Sequence, residues 1–221
     1  MTTPCDRIIV FAKWPVPGAV KTRLGATIGL QRAADLARAF LLDVTATANR
    51  LPVEHILAYS PRGTREQFRA LLPPGWSLRL QRGADLGERL ANAMAHRPDG
   101  RTLILGTDSP WLTETDLSAA FSALNAADVV LGPCRDGGFY LIGFRSDAPP
   151  ALFSGVRWST EYALADQTAA AERLGRSVRL LPEGYDIDTE ADLKRLEGDL
   201  ASLPAGMLVA TRVLLESRGV S

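Results

Sequence analysis

The sequence predicts an α/β protein whose mostly parallel sheet is covered by helices on both faces. Three observations lead there. Short apolar runs alternate with segments of helical period almost from end to end, the pattern of parallel strands joined by crossover helices. Two neighbouring runs, 128–131 and 138–144, lie too close for a helical crossover, so the second is expected to be antiparallel or to belong to a separate small sheet. Finally, 221 residues that are 46% hydrophobic and 23% charged suit a soluble chain with one substantial core. With no repeat, low-complexity tract or linker, residues 1–221 read as a single domain.

In chain order, Arg7-Ile-Ile-Val-Phe11 is expected as a buried strand. From Leu30 to Asn49, Ala33, Leu36, Ala37, Phe40, Leu41 and Val44 recur at helical spacing. Val53 to Tyr59 reads as a strand and Thr64 to Leu72 as a short helix, ended by Pro73-Pro74, since neither can donate to it. Ser77 to Gln81 is a third strand. Asp85 to His96 is helical, with Leu86, Leu90, Ala93 and Met94 on one face. Arg101 to Gly106 is the most apolar strand. Thr113, with Asp116 three residues on, forms a capping box that opens a helix to about Ala126. Asp128 to Leu131 and Gly138 to Phe144 are strands, Thr160 to Leu174 a helix, Ser177 to Leu181 a strand, Thr189 to Leu200 a helix, and Pro204 begins a last helix to about Ser217.

Charge excludes some functions. Twenty-five basic residues balance 25 acidic ones, whereas a dedicated nucleic-acid binder carries a basic excess. No apolar run approaches the length of a membrane span, and Met1 to Arg7 holds no signal-peptide core. Cys5 and Cys134 make no metal-type spacing, which suits a reducing compartment. A cytoplasmic protein without nucleic-acid or membrane partners is expected.

Against that neutral background, Phe11-Ala-Lys-Trp-Pro-Val-Pro-Gly-Ala-Val-Lys-Thr-Arg-Leu24 stands out. Lys13, Lys21 and Arg23 sit on a loop that leaves the first strand, stiffened by Pro15 and Pro17 and loosened at Gly18. Backbone N–H groups and fixed positive charge converging there suit a di- or triphosphate. It is not a P-loop, because Val20 stands where that motif needs glycine before Lys21-Thr22.

Gly106-Thr-Asp-Ser-Pro110 follows the strongest strand, so Asp108 can offer its oxygens to a hard cation, or simply bond its own turn. Gly184-Tyr-Asp-Ile-Asp188 precedes a helix capped by Thr189 and Asp192. The alternation of Asp186 and Asp188 is read as placing them on opposite faces of an extended segment, so that Asp188 alone points into a site. Gly132 to Gly138 brings glycines, a proline and the Arg135-Asp136 pair between two strands, which suits close approach to a ligand or a tight connection. Asp85 is a good N-cap, and Arg89 one turn further on is expected to face solvent. Trp158 serves as core, as a lid, or as a surface for a base or sugar. His55 and His96 lie away from these loops.

Together, Phe-Ala-Lys-x-Pro-x-Pro-Gly-x-Val-Lys-Thr-Arg-Leu at 11–24, Asp-Leu-Gly-Glu-Arg-Leu at 85–90, Gly-Thr-Asp-Ser-Pro at 106–110, Asp-Gly-Gly-Phe-Tyr-Leu-Ile-Gly at 136–143 and Asp-Ile-Asp-Thr-Glu-Ala-Asp-Leu at 186–193 resemble the DUF2064 family. Its members are labelled transferase 1 associated with radical-SAM and selenium domains, some as arsenosugar-biosynthesis glycosyltransferases. More distantly the chain is similar to 2-phospho-L-lactate and molybdenum-cofactor guanylyltransferases. The resemblance implies a three-layer α/β/α GT-A (nucleotide-diphospho-sugar transferase) fold with a mixed, mostly parallel sheet. It further implies a nucleotide held by Phe11, Ala12, Lys13, Lys21, Arg23, Asp85, Gly137 and Gly138, and Mg²⁺ (or Mn²⁺) on Asp108 and Asp188. The Leu-x-Gly-Gly-x-Ser-x-Arg opening of many sugar nucleotidyltransferases is replaced by Phe11-Ala-Lys13, and the Asp-x-Asp of many GT-A enzymes by Asp108-Ser-Pro.

The expected activity is nucleotidyl transfer from a nucleoside triphosphate to a small phosphorylated acceptor with release of pyrophosphate. Lys21 and Asp108 would be catalytic, and an anionic acceptor would need no base. Glycosyl transfer from a nucleotide sugar is the alternative, with Asp136 as the base, and a nucleotide-binding module without turnover is a third. Base, acceptor and assembly stay open, a homodimer among the options.

Overall fold

A computed structural model describes residues 6–95 and 100–217. Cys5 and His96 lie outside the described residues. Seven strands form one sheet in the order β3-β2-β1-β4-β6-β5-β7. β1 (Arg7–Lys13) runs through its middle, parallel to β2 (Glu54–Ser60) and to β4 (Thr102–Leu105), with Ile9 level with both Ile56 and Ile104. β3 (Ser77–Leu80) extends the sheet beyond β2, and β7 (Val178–Leu180) extends it beyond β5 (Val129–Pro133), both in parallel. β6 (Phe139–Phe144) is antiparallel to both of its neighbours, β4 and β5. The short 128–144 connection thus yields an antiparallel strand within the main sheet and no separate one.

The strands read as continuous apolar runs because both faces are covered. Ile8, Val10 and Ala12 face one side, where they join Leu41, Val44 and Ala48 of α2 (Leu30–Ala48) and Leu117, Ala120 and Phe121 of α5 (Glu114–Ala123). Ile9, Ile56, Ile104 and Ile142 face the other, under Leu90 and Met94 of α4 (Leu86–Met94), a 3-10 turn at Pro150–Phe153 and Ala171 of α6 (Ala163–Arg173). Each such fully buried Ile or Leu contributes about 1.5–3 kcal/mol. A third cluster joins Leu24 of α1 (Thr22–Ile28), Phe40, Tyr185 and Ile187 to Leu193 and Leu196 of α7 (Glu190–Asp199) and to Leu208. It lies under the loops that follow β1 and β7.

Three elements differ from expectation. The segment after β1 contains α1, hidden in the sequence by Gly25. A Cβ there would come within 2.9 Å of the Leu30 side-chain tip, so the glycine lets α1 and α2 lie close without moving Leu30. The last helix, α8 (Val209–Glu216), starts five residues after Pro204. Its start is set from outside: buried Asp43 on α2 accepts from Ala210 N at 2.9 Å, Thr211 N at 2.9 Å and Thr211 Oγ1 at 2.6 Å. Helix α6 begins at Ala163, since residues 160–162 form turns. The capping box at Thr113 and Asp116 is present as expected.

Burial pushes the Asp43 carboxyl above its usual range, while the Thr211 hydroxyl and the α8 amides pull it back. Removing this acceptor leaves buried donors without a partner. Asp43→Ala should cost about 2–3 kcal/mol, read in chemical denaturation; a change under about 0.5 kcal/mol, the level of an ordinary surface substitution, would contradict the role given to it.

Candidate active site

The carboxyl ends of β1 and β4, the start of β6 and the segment after β7 open into a cleft of about 840 Å³, where open α/β sheets bind ligands. Lys21 enters it from the loop after β1. The loop turns at Gly18 (φ 77°) and delivers Lys21 in the left-handed region (φ 46°, ψ 43°) directly before α1. An L-residue there costs about 1–2 kcal/mol, and the side chain it aims inward is 5% exposed. The Nζ pairs with Asp108 and lies 3.0 Å from Asp188 Oδ1, while the Phe40 ring sits 5.9 Å away. Burial alone would push the ammonium down, but Asp108 and Asp188 outweigh it and hold the pKa above that of an ordinary lysine. Lys21 is therefore a fixed positive charge.

The two acidic segments are joined to each other as well. Ile187 N donates to Asp108 O at 2.9 Å. Asp188 N and Thr189 N both donate to Asp192, so the capping box of α7 fixes the approach of Asp188. The expectation that Asp186 points away from the site is incorrect, because both Asp186 and Asp188 line the cleft. Residues two apart on extended chain share a face; Ile187, between them, faces the core and is 0% exposed. Asp186 accepts from Ser109 Oγ at 2.5 Å. Burial, with Asp108 and Asp188 nearby, pushes its carboxyl up to about 6 against the pull of Ser109 and Lys21. Burial also raises the adjoining Cys134 thiol, with the Asp186 charge next in effect.

Phe11, Ala12, Lys13, Lys21, Arg23, Asp108, Asp136, Gly138 and Asp188 all line this cleft. Arg23 Nη2 reaches Asp188 Oδ2 at 3.5 Å with its side chain 69% exposed, and Lys13 Nζ donates to Ala19 O at 2.8 Å. Asp136 Oδ1 accepts from Gly138 N at 3.0 Å. Two predicted residues stand apart. Asp85 caps α4, accepting from Glu88 N at 2.8 Å, and does not line the cleft. Gly137 is not on the wall either: at φ 82° it packs against Glu161, whose carbonyl oxygen is 2.0 Å from where a Cβ would stand.

Arg89 turns out to line the cleft, as does Trp158, which packs edge-on against Phe139 and closely over Gly87. Gln81 escaped sequence reasoning, being one polar residue at the end of a strand. Its Nε2 donates to Ala58 O at 2.7 Å and Ala12 O at 3.3 Å, which fixes the amide at the rim beside β1. His55 is stacked on Trp76, away from the cleft.

Asp108 and Asp188 come from different strand-end segments, are 48% and 41% exposed, and meet at one nitrogen. Among the described residues no three His, Cys, Asp or Glu side chains are grouped to enclose a metal. Two half-exposed carboxylates beside open space fit a magnesium-type ion, which takes one or two protein carboxylates and completes its shell with substrate phosphates and water.

Comparison with known proteins agrees with the fold. A family model described as "Uncharacterized protein conserved in bacteria (DUF2064)" matches residues 42–160. A phosphoenolpyruvate guanylyltransferase of Sphaerobacter thermophilus is 29% identical over 188 residues, covering 80% of this chain and 86% of that one. The crystal structure of a candidate nucleotide-diphospho-sugar transferase from Desulfovibrio desulfuricans G20 superposes with a TM-score of 0.87 at 33% identity, covering 96% of this chain and 94% of that one. CMP:2-keto-3-deoxy-manno-octonic acid synthetase, solved with CTP, shares the fold at a TM-score of 0.57 and 14% identity, over 90% of this chain and 99% of that one.

The contact between Gly137 and Glu161 lies behind one wall of the cleft, which Glu161 and Gly138 line. Gly137→Ala must move the Glu161 backbone and hold an unfavourable φ, at a cost of about 1–3 kcal/mol. The thermal midpoint should fall by about 2–4 °C per kcal/mol for a chain of this size; an unchanged midpoint would show that the wall yields freely.

Proposed function

The chain belongs to the DUF2064 family and is a transferase, and from that premise we propose that it is a divalent-metal-dependent nucleotidyltransferase acting on a nucleoside triphosphate and a small phosphorylated acceptor. The observation that carries this reading is the buried Lys21 ammonium between Asp108 and Asp188, at the carboxyl ends of the strands and flanked by Lys13 and Arg23. The guanylyltransferase name of the Sphaerobacter relative makes GTP the first donor to test.

Lys13, Lys21 and Arg23 hold the triphosphate chain and offset its charge as pyrophosphate departs. The Gln81 amide, tied by its nitrogen to Ala12 O and Ala58 O, offers its oxygen to an N–H of the base. Asp108 and Asp188 would hold the divalent cation, Mg²⁺ or Mn²⁺, which when bound supplies charge neutralisation on the phosphate oxygens. An acceptor phosphate oxygen forms the new bond to the α-phosphorus, and the bond to the β-phosphate oxygen breaks, its electron pair leaving on pyrophosphate. The attacking oxygen is already anionic, so no side chain has to remove a proton. A carboxylate base is therefore not needed on this route.

Asp136 lends support to a second reading, glycosyl transfer from a nucleotide sugar. Its carboxylate lines the cleft and would accept the proton of an acceptor hydroxyl. The similarity to the Desulfovibrio protein points the same way.

Purified protein with Mg²⁺, a panel of nucleoside triphosphates and nucleotide sugars, and candidate acceptors separates the two. Acceptor-dependent pyrophosphate is expected with GTP; nucleoside diphosphate released from a nucleotide sugar would instead establish glycosyl transfer. Lys21→Ala should weaken triphosphate binding by about tenfold or more, the scale of a lost charge-assisted contact of about 1.5–3 kcal/mol. Asp108→Ala should abolish metal-dependent turnover, and wild-type rates in that variant would refute the metal assignment.

A further inference from the structure

Resting on the reading that Asp108 and Asp188 receive a divalent cation, we infer that Lys21 occupies that cation's place in the nucleotide-free enzyme, so that the metal is admitted only together with a triphosphate. The ammonium pairs with both carboxylates and its side chain is 5% exposed. The Lys21 backbone is set in the left-handed region at the start of α1, and Phe40 lies behind it. A lone divalent ion on these carboxylates would therefore face a buried ammonium at close range, and the two like charges repel. By capturing the carboxylates, it would also deprive a buried cation of its partners, the costly way to break such a pair.

A triphosphate removes both obstacles. Its oxygens accept from the ammonium as the carboxylates turn to the metal, and its negative charge balances the added positive charge. Arg23 does not act in this way, because its guanidinium is 69% exposed and touches only Asp188 at 3.5 Å. Lys21 is thus both a phosphate ligand and the residue that makes the enzyme recognise a metal–nucleotide chelate in preference to either component. The coupling is reciprocal, since metal must tighten nucleotide by the factor by which nucleotide tightens metal.

Mn²⁺ binding to the full chain, followed by electron paramagnetic resonance without nucleotide, tests the idea apart from turnover. Lys21→Met keeps the length of the side chain without its charge and should bind Mn²⁺ alone about tenfold or more tighter than wild type, within the usual range of site–site coupling. Lys21→Arg should bind it as weakly as wild type. Equal or weaker Mn²⁺ affinity in Lys21→Met overturns the inference. Circular dichroism checks that this variant is folded. If it is not, wild type decides: a non-hydrolysable GTP analogue should bind about tenfold or more tighter with Mn²⁺ than in chelator, and equal affinities overturn the inference. Failure of this analogue and its ATP, CTP and UTP counterparts to bind under either condition would overturn the proposed function, whereas tight binding without coupling would overturn only the role of Lys21.

Discussion

Lys21 joins segments that are far apart in the chain, because a cation 5% exposed must keep anionic partners. Asp108 comes from the end of β4 and Asp188 from the approach to α7, and both lie at the same nitrogen. The Ile187–Asp108 backbone bond, the Thr189 cap and the left-handed turn at Lys21 all serve that meeting. Without it, the Asp108 and Asp188 carboxylates would lie close together with no cation between them, on segments joined only by the Ile187–Asp108 and Ser109–Asp186 bonds.

The hydrophobic core is arranged to support the same point. Leu24, Phe40, Ile187 and Leu193 belong to one cluster, so the residues bearing or flanking Lys21 and Asp188 are anchored in common apolar packing. Phe40 adds its ring beneath the ammonium. The loops are therefore held by buried neighbours, which is how a site keeps its geometry before a ligand arrives.

Much of this was legible in the sequence. Strand–helix alternation points to a mostly parallel sheet, and the short link before 138–144 to an antiparallel strand in that sheet or a separate one, because crossovers need length and hairpins do not. The cationic loop and Asp108 were readable because their residue types are unusual at strand ends. Asp186 was misplaced by a wrong reading of extended-chain periodicity, an error of inference and not of missing signal. Other features leave no local trace. The start of α8 depends on Asp43 from a helix more than 160 residues earlier; α1 packs on α2 across Gly25, which the linear pattern reads as a breaker; and Gln81 is placed by carbonyls of two other strands. These are consequences of tertiary contact, to which a linear pattern is blind.

The reversed direction of β6 carries a consequence for how such a molecule can diversify. Running against its neighbours, it presents its beginning to the cleft, so one wall is built by a connection of only a few residues between β5 and β6. That hairpin forms from contacts close in sequence, whereas the β1–β4 half requires distant segments to meet. The two sides of the cleft are thus encoded at different scales. Within that connection Gly137 is tied to distant Glu161, so variation on this wall falls to Asp136 and its neighbours, while the long-range β1–β4 framework is inherited intact.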